Sequence, residues 1–286
     1  MNNPILEPEW LNDNLKNDNV IVFDTTVFLL PKEDNSDYII KSGRDEYLKA
    51  HIPGAIFIDL QKELSIADES IRFKFPSKDI FLNFLEKYNI NNNNKIVFYS
   101  SDKHYWATRA WFIFYFFGFE NIYVLNGGLQ NWTHKNYPTS TLNVEENIGI
   151  YDKKIKPTEK TEHLIRYEEL RQKVEDNSSI IINALTSEQH YGVGGIHYGR
   201  KGHIKKSISI PAAKNIKKDG TFLGGDDLKE IYKDLIKQNK KIISYCGGGI
   251  AASSILFSLY RLGYYNFALY DASMSEWAKK DDAPME

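Results

Sequence analysis

A single cysteine in 286 residues excludes a good deal. The chain can hold no internal disulfide framework, no Cys-rich metal site and no second thiol to resolve an oxidised Cys246. If that thiol is oxidised at work, an outside molecule, such as a thioredoxin-like reductant, has to restore it. A thiol that must stay reduced predicts a cytoplasmic setting. Charge of one sign is also lacking: 36 Lys and Arg stand against 38 Asp and Glu, a formal net charge of −2. That balance predicts no pull toward nucleic acid or an anionic membrane. Long apolar runs are missing too. The most apolar run, Trp111 to Phe119, is nine residues, too short to span a bilayer, and reads as part of a buried helix. The opening residues, Met1 to Trp10, have neither a basic nor an apolar signal region, so no secretory signal is expected.

What is present is ordinary globular composition, 42% hydrophobic and 26% charged, and a length that suits two domains. One stretch stands out. Lys241-Ile242-Ile243-Ser244-Tyr245 is a short apolar run that ends at Cys246, Gly247-Gly248-Gly249 follow, and Ile255, Leu256, Leu259 and Leu262 recur at helical spacing. The reading is strand, tight loop, helix, with the thiol at the strand's C-terminal end. Glycines let successive N–H groups converge in one concavity, and the helix N-terminus adds positive potential there. Both favour a thiolate and an anion held beside it. A buried structural cysteine is the bland alternative, but a packed core gains nothing from three residues without side chains.

The rest of the chain alternates strands and helices. Expected strands are 20–23, 55–58, 96–99 and 122–125, with helices near 10–16, 44–50, 77–88, 105–117 and around Trp132. Residues 31–42 read as a polar loop. The stripe Trp106, Trp111, Phe112, Phe114, Tyr115 reads as core. Residues 138–160 are charged and poor in apolar positions, a linker between a first domain of residues 1–137 and a second of residues 161–286. The pattern then recurs: Asn183 for Asp24, Gly202-His203-Ile204 for His51-Ile52, Ile242–Tyr245 for the third strand, Trp277 for Trp132. The offset reads as about 145–152 residues throughout, a tandem repeat. Counting back from the two tryptophans places Ser101 opposite Cys246, so the thiol and its glycines belong to one copy. Lys103 and His104 of the other could reach a shared cleft, but read first as solvated loop residues. The fold expected is α/β, two open parallel sheets with helices on both faces, and ligands on such sheets sit at the carboxyl ends of strands.

These segments resemble the tandem-domain rhodanese family of thiosulfate and 3-mercaptopyruvate sulfurtransferases. The resemblance rests on His51-Ile52-Pro53-Gly54-Ala55, Leu125-Asn126-Gly127-Gly128-Leu129-Gln130-Asn131-Trp132, Gly202-His203-Ile204, the Cys246 loop and Tyr270-Asp271-Ala272-Ser273-Met274-Ser275-Glu276-Trp277. It implies two rhodanese-like domains, the first non-catalytic and the second catalytic. It implies ping-pong transfer of sulfane sulfur from a small anionic donor, thiosulfate before 3-mercaptopyruvate, through a persulfide on Cys246 to a thiol or cyanide acceptor. No metal or organic cofactor is implied. The amides of Gly247, Gly248, Gly249, Ile250 and Ala251 would hold the outer sulfur.

The chain departs from the family pattern in named places. No basic residue follows the cysteine. Gly248 stands where mercaptopyruvate-type members carry a serine. The aspartate grouped with that serine falls on Gln61, with Asp59 two residues earlier. Asn183-Ala184-Leu185 replaces a motif that ends in a substrate arginine. The glycine-rich, basic segment 194–203 then offers Arg200, which could grip a sulfonate or carboxylate bidentately, and His197 as a second candidate. His51 and His203 occupy matching places in both copies and read as structural, as does Arg44, in an ion pair. A Cys-based phosphatase or arsenate reductase would need an arginine six residues after the thiol, where Ala252 stands. A non-catalytic sulfur carrier or protein-binding module is the remaining alternative.

Overall fold

The computed structural model describes residues 3–33, 38–144 and 155–286. In the first half the strands are β1 (Ile5–Leu6), β2 (Val20–Asp24), β3 (Val27–Pro31), β4 (Tyr38–Ser42), β5 (Ile56–Phe57), β6 (Lys95–Tyr99) and β7 (Ile122–Leu125). In the second they are β8 (Leu164–Ile165), β9 (Ser179–Asn183), β10 (Ile208–Ser209), β11 (Lys241–Tyr245) and β12 (Phe267–Tyr270). Two parallel five-stranded sheets result, ordered β1-β7-β6-β2-β5 and β8-β12-β11-β9-β10. Strand for strand the two orders are the same, so the repeat is a repeat of topology, and each sheet carries helices on both faces.

Strand alternation decides which side chains meet. Ile21 and Phe23 of β2, Ile96 and Phe98 of β6, Ile180 and Ile182 of β9 and Ile242 of β11 point to one continuous core between the sheets. The intervening Val22, Val97 and Tyr99, and Ile181, Ile243 and Tyr245, face two separate outer cores closed by Trp132 and Trp277. Helices His104–Phe116 and Ile250–Arg261 fill the shared core and pack on each other. Trp111 sits edge-on to Phe257 and Tyr260 at centroid distances of 4.9 and 5.0 Å. Thr108 Oγ1 lies 3.2 Å from Ser253 Oγ. Trp111 and Tyr115 of the aromatic stripe therefore lie at the seam between the halves, while Trp106, Phe112 and Phe114 pack on rings of the first half.

The offset between copies is not constant. Asp24 pairs with Tyr99 as Asn183 pairs with Tyr245, an offset of 159 at β2/β9 and 146 at β6/β11, against 145 at the tryptophans. The first copy is longer between these strands on both sides of His51, whose offset to His203 is 152. There the expected loop at 31–42 is instead partly sheet: β3 and β4 form an antiparallel hairpin, Leu30 opposite Ile39. Residues 34–37 of that loop lie outside the described residues. The two-residue edge strands β1 and β8 went unread for their shortness. Part of the expected linker, 145–154, also lies outside the described residues; on either side of it, Ser140 pairs with His51 and Thr158 donates to the Phe117 carbonyl.

The matched histidines are packing residues. His51 Nδ1 lies 2.6 Å from the Tyr47 carbonyl with its ring stacked on Tyr47, and His203 Nδ1 lies 3.0 Å from the His190 carbonyl with its ring stacked on His190. The turns they belong to are held by the last residue of each central strand: Ile52 N donates to Tyr99 Oη, and Ile204 N to Tyr245 Oη. Among the described residues Arg44 donates to the Asn143 side chain, 3.2 Å away, and to no carboxylate.

Candidate active site

Cys246 follows β11, the central strand of its sheet, and the alternation that sends Ile242 inward sends Cys246 inward too. The thiol is 3% exposed and lies on the wall of a cavity of about 820 Å³ between the two halves.

The loop's peptide planes are set by what their carbonyls bind. Cys246 O accepts from Met274 N at 3.0 Å, and Gly247 O accepts from Ser275 N at 2.9 Å and Ser275 Oγ at 2.7 Å. In a trans peptide the N–H points opposite the carbonyl, so the N–H groups of Gly247 and Gly248 turn away from this anchor and toward the cavity. Gly249 O faces Arg109 at 3.5 Å, which turns the Ile250 N–H the other way. Ile250 and Ala251 open the helix, where N–H groups have no intrahelical acceptor. The amides of Gly247, Gly248, Ile250 and Ala251 thus stand in the loop and first helical turn that line the cavity with Cys246. Gly249 is the exception among the five expected donors: its N–H is bound by Ser273 Oγ at 3.2 Å, and the residue does not line the cavity. Its role is steric. With φ at +76°, a Cβ would meet Asp271 Oδ1 at 2.6 Å and Arg109 Nη1 at 3.0 Å.

Ser273 is the loop residue that sequence reasoning missed. Its Oγ accepts from Cys246 N at 3.0 Å as well as from Gly249 N, and donates to the Tyr270 carbonyl at 2.8 Å. It does so from φ +52°, a left-handed conformation that disfavours a residue with a Cβ. The matching position in the first copy is Gly128, also at positive φ. That contrast, Gly-Gly at 127–128 against Ala-Ser at 272–273, was the available signal. The same anchors correct the alignment of the two copies: Leu129 N binds the Ser100 carbonyl as Met274 N binds that of Cys246, so Ser100, not Ser101, is the counterpart of the thiol. The loops differ by one residue between the strand and the closing tryptophan.

Arg200 is not in the cavity. Its guanidinium donates to the carbonyls of Trp277, Lys280 and Ala283 and its Nε to that of Ala278. Those carbonyls close the C-terminal end of the chain and hold Arg200 away from any substrate. His197 does line the cavity. The cations that reach it are Arg72, Lys103 and Lys279, against one carboxylate, Glu69, among the described lining residues. Arg72 and Lys103 come from the first half, which no sequence spacing could place. The reading of Lys103 and His104 as merely solvated is corrected with them: both line the cavity. His104 Nε2 lies 2.8 Å from Ser254 Oγ, and burial lowers the ring's pKa to about 4, so it stays neutral. Asp59 and Gln61 serve structure: Asp59 caps a helix through Gln61 N and Lys62 N, and Gln61 Oε1 accepts from Phe73 N at 2.9 Å. Ala184 and Leu185 line the cavity where the motif's arginine would stand.

An ion pair buried on its Arg109 side also ties the first half to the cysteine loop. Arg109, 1% exposed, lies 2.6 Å from Asp271 Oδ1 and donates to the Phe73 carbonyl at 2.7 Å, while Asp271 Oδ2 accepts from Phe75 N at 2.7 Å. This joins the end of β12, the cysteine loop and the segment that carries Arg72.

Comparison with known proteins agrees with this architecture. The family model for the rhodanese-like domain matches residues 7–135 and 166–280. Thiosulfate/3-mercaptopyruvate sulfurtransferase 2 of Arabidopsis thaliana is 28% identical over 99% of this chain and 86% of its own. The 3-mercaptopyruvate sulfurtransferase of Escherichia coli is 26% identical over 97% of this chain and 96% of its own. The crystal structure of SseA from Escherichia coli, a 3-mercaptopyruvate sulfotransferase, superposes with a TM-score of 0.82 over 95% of this chain and 99% of its own, at 23% identity. The chain belongs to the rhodanese family, as a sulfurtransferase built of two tandem rhodanese domains.

Proposed function

We propose that the protein moves sulfane sulfur from an anionic donor to a thiophilic acceptor through a persulfide on Cys246, with thiosulfate favoured over 3-mercaptopyruvate. The observation that carries this is the lone thiol on the wall of a cavity that it shares with Gly247, Gly248, Ile250 and Ala251 and whose described lining holds Arg72, Lys103 and Lys279 against one carboxylate, Glu69. In the first half-reaction the thiolate attacks the outer sulfur of thiosulfate. The S–S bond breaks, its electron pair leaves with sulfite, and the outer sulfur stays on Cys246. In the second, the acceptor attacks that sulfur and releases the thiolate. The amides of Gly247, Gly248, Ile250 and Ala251, with the helix dipole, favour the anionic sulfur in both states. Sulfite leaves as a stable anion and needs no proton. 3-Mercaptopyruvate would leave as an enolate, and the loop offers no hydroxyl at Gly248 to supply a proton. Lys103 and Lys279, with Arg72 beside them bonded through Nη1 to the Tyr38 carbonyl at 2.8 Å, take the place of the missing substrate arginine at the donor's anionic end.

The catalytic domain is residues 161–286, the first domain is residues 1–137, and 138–160 joins them. The acceptor is a small thiol or cyanide. A thioredoxin-like reductant rescuing oxidised Cys246, and a cytoplasmic setting, follow from the lone thiol. Among the described residues no helix is long and apolar enough to cross a membrane.

The test is intact mass after thiosulfate. Wild-type protein should gain one sulfur and Cys246→Ser none, because a hydroxyl is too weakly acidic to replace the thiolate. A sulfur gained by Cys246→Ser would overturn the proposal.

A further inference from the structure

The cavity holds far more than the donor needs. Thiosulfate has five heavy atoms and fills on the order of 100 Å³, taking ~30 Å³ per water-sized unit. The cavity is about 820 Å³, in the upper part of the range of about 300–1,000 Å³ that takes drug-sized ligands. The surplus is apolar and comes from both halves: Leu29, Tyr38 and Tyr105 on one side, Leu185, Ala213 and Ile216 on the other. The hairpin β3–β4, which lies in the first of the two longer stretches of the first copy, supplies Leu29 and Tyr38. A bare inorganic anion or cyanide would leave this surface wet. An aromatic or aliphatic body would cover it, while an acidic group met Arg72, Lys103 or Lys279.

We infer that the cavity is built for an organic sulfur acceptor: a thiol with an apolar, ring-sized body and an acidic group. This rests on the persulfide reading above and names the substrate of its second half-reaction. The acceptor's thiolate attacks the outer sulfur of Cys246–S–SH. A new S–S bond forms, the Cys246–sulfur bond breaks, and the products are the acceptor's persulfide and the Cys246 thiolate. No oxidant or reductant is consumed.

The test measures discharge of the loaded enzyme by cyanide, by 4-mercaptophenylacetate and by the neutral 2-(4-mercaptophenyl)ethanol. Wild type and the variants Ala213→Trp and Leu29→Trp, which fill the cavity from opposite sides, are compared. Ala213 is exposed, and Leu29 is half-buried at the margin of the core, so the urea midpoint of each variant is measured beside its discharge rates. Each variant should lower the ratio of aryl-thiol to cyanide discharge rates by about tenfold, equivalent to ~1.4 kcal/mol. Wild type should discharge to the acidic aryl thiol several-fold faster than to the neutral one. An unchanged ratio in both variants overturns the apolar part of the inference, and equal rates for the two aryl thiols overturn the acidic part. Failure to load sulfur from any donor would instead strike the persulfide reading, and this inference with it.

Discussion

Gly247, Gly248 and Gly249 look alike in the sequence and do different work. Gly249 sits at φ +76° with Asp271 Oδ1 2.6 Å from where a Cβ would be, so Gly249→Ala meets both backbone strain and a polar clash. Gly248 is not in the left-handed region, and its nearest atom to a Cβ is the Arg72 carbonyl oxygen at 3.5 Å. Gly249→Ala should lose at least ~1 kcal/mol of stability and most sulfur loading, while Gly248→Ala should stay within ~0.5 kcal/mol of wild type. Urea denaturation checks both; similar losses at the two positions would contradict the assignment. The thiol and its glycines were legible because chemistry that holds an anion with backbone amides leaves a visible run. Ser273 was not legible, since a serine near a strand end is unremarkable until its φ and its two N–H donors are seen. Arg200 misled for the converse reason. A basic, glycine-rich segment suggests a ligand grip, but its donors were already engaged by carbonyls 77 to 83 residues away.

The longer strands of the two sheets could be read as short apolar runs, because their core-facing residues alternate with residues buried in an outer core and both faces are apolar. The hairpin β3–β4 could not. Its residues are half-buried to exposed along β4, and a strand with only one side lightly covered reads as loop. Helix His104–Phe116 was found from its apolar content, yet its first turn carries a consequence that content does not reveal. His104 is neutral in the fold, its pKa lowered to about 4 by burial, whereas in the unfolded chain it titrates near its ordinary value of 6.5. Between these values the unfolded state binds the extra proton, so stability falls as pH drops from about 6.5 toward 4. His190, also lowered to about 4 by burial, adds to the same slope. His104→Gln should flatten the fall in urea midpoint across this window, leaving the part due to His190 and to His163, whose pKa burial also lowers. A slope equal to that of wild type would contradict the buried, neutral assignment.

At the scale of the whole molecule, the first half is a wall and a clamp. Its loss of the thiol was readable by comparing copies. Its share in the site was not, because the contacts join residues such as Arg109 and Asp271 that lie 162 positions apart. Breaking one partner of a buried pair leaves the other charge uncompensated, at a cost of about 3–5 kcal/mol; Asp271 is 14% exposed, which favours the lower end. Arg109→Met should therefore destabilise strongly, and adding Asp271→Asn should recover part of the loss. A change below ~1 kcal/mol in the single variant would mean that the halves are held together without this clamp.

The central claim is that sulfur rests on Cys246 between two half-reactions. The most direct measurement is to load the reduced protein with thiosulfate, remove the donor, and follow intact mass and thiocyanate as cyanide is added. The account predicts the gain of one sulfur atom per chain and its loss on adding cyanide, with one thiocyanate formed for each sulfur lost. Thiocyanate formed only while donor is present, with no loaded protein ever detected, would contradict it.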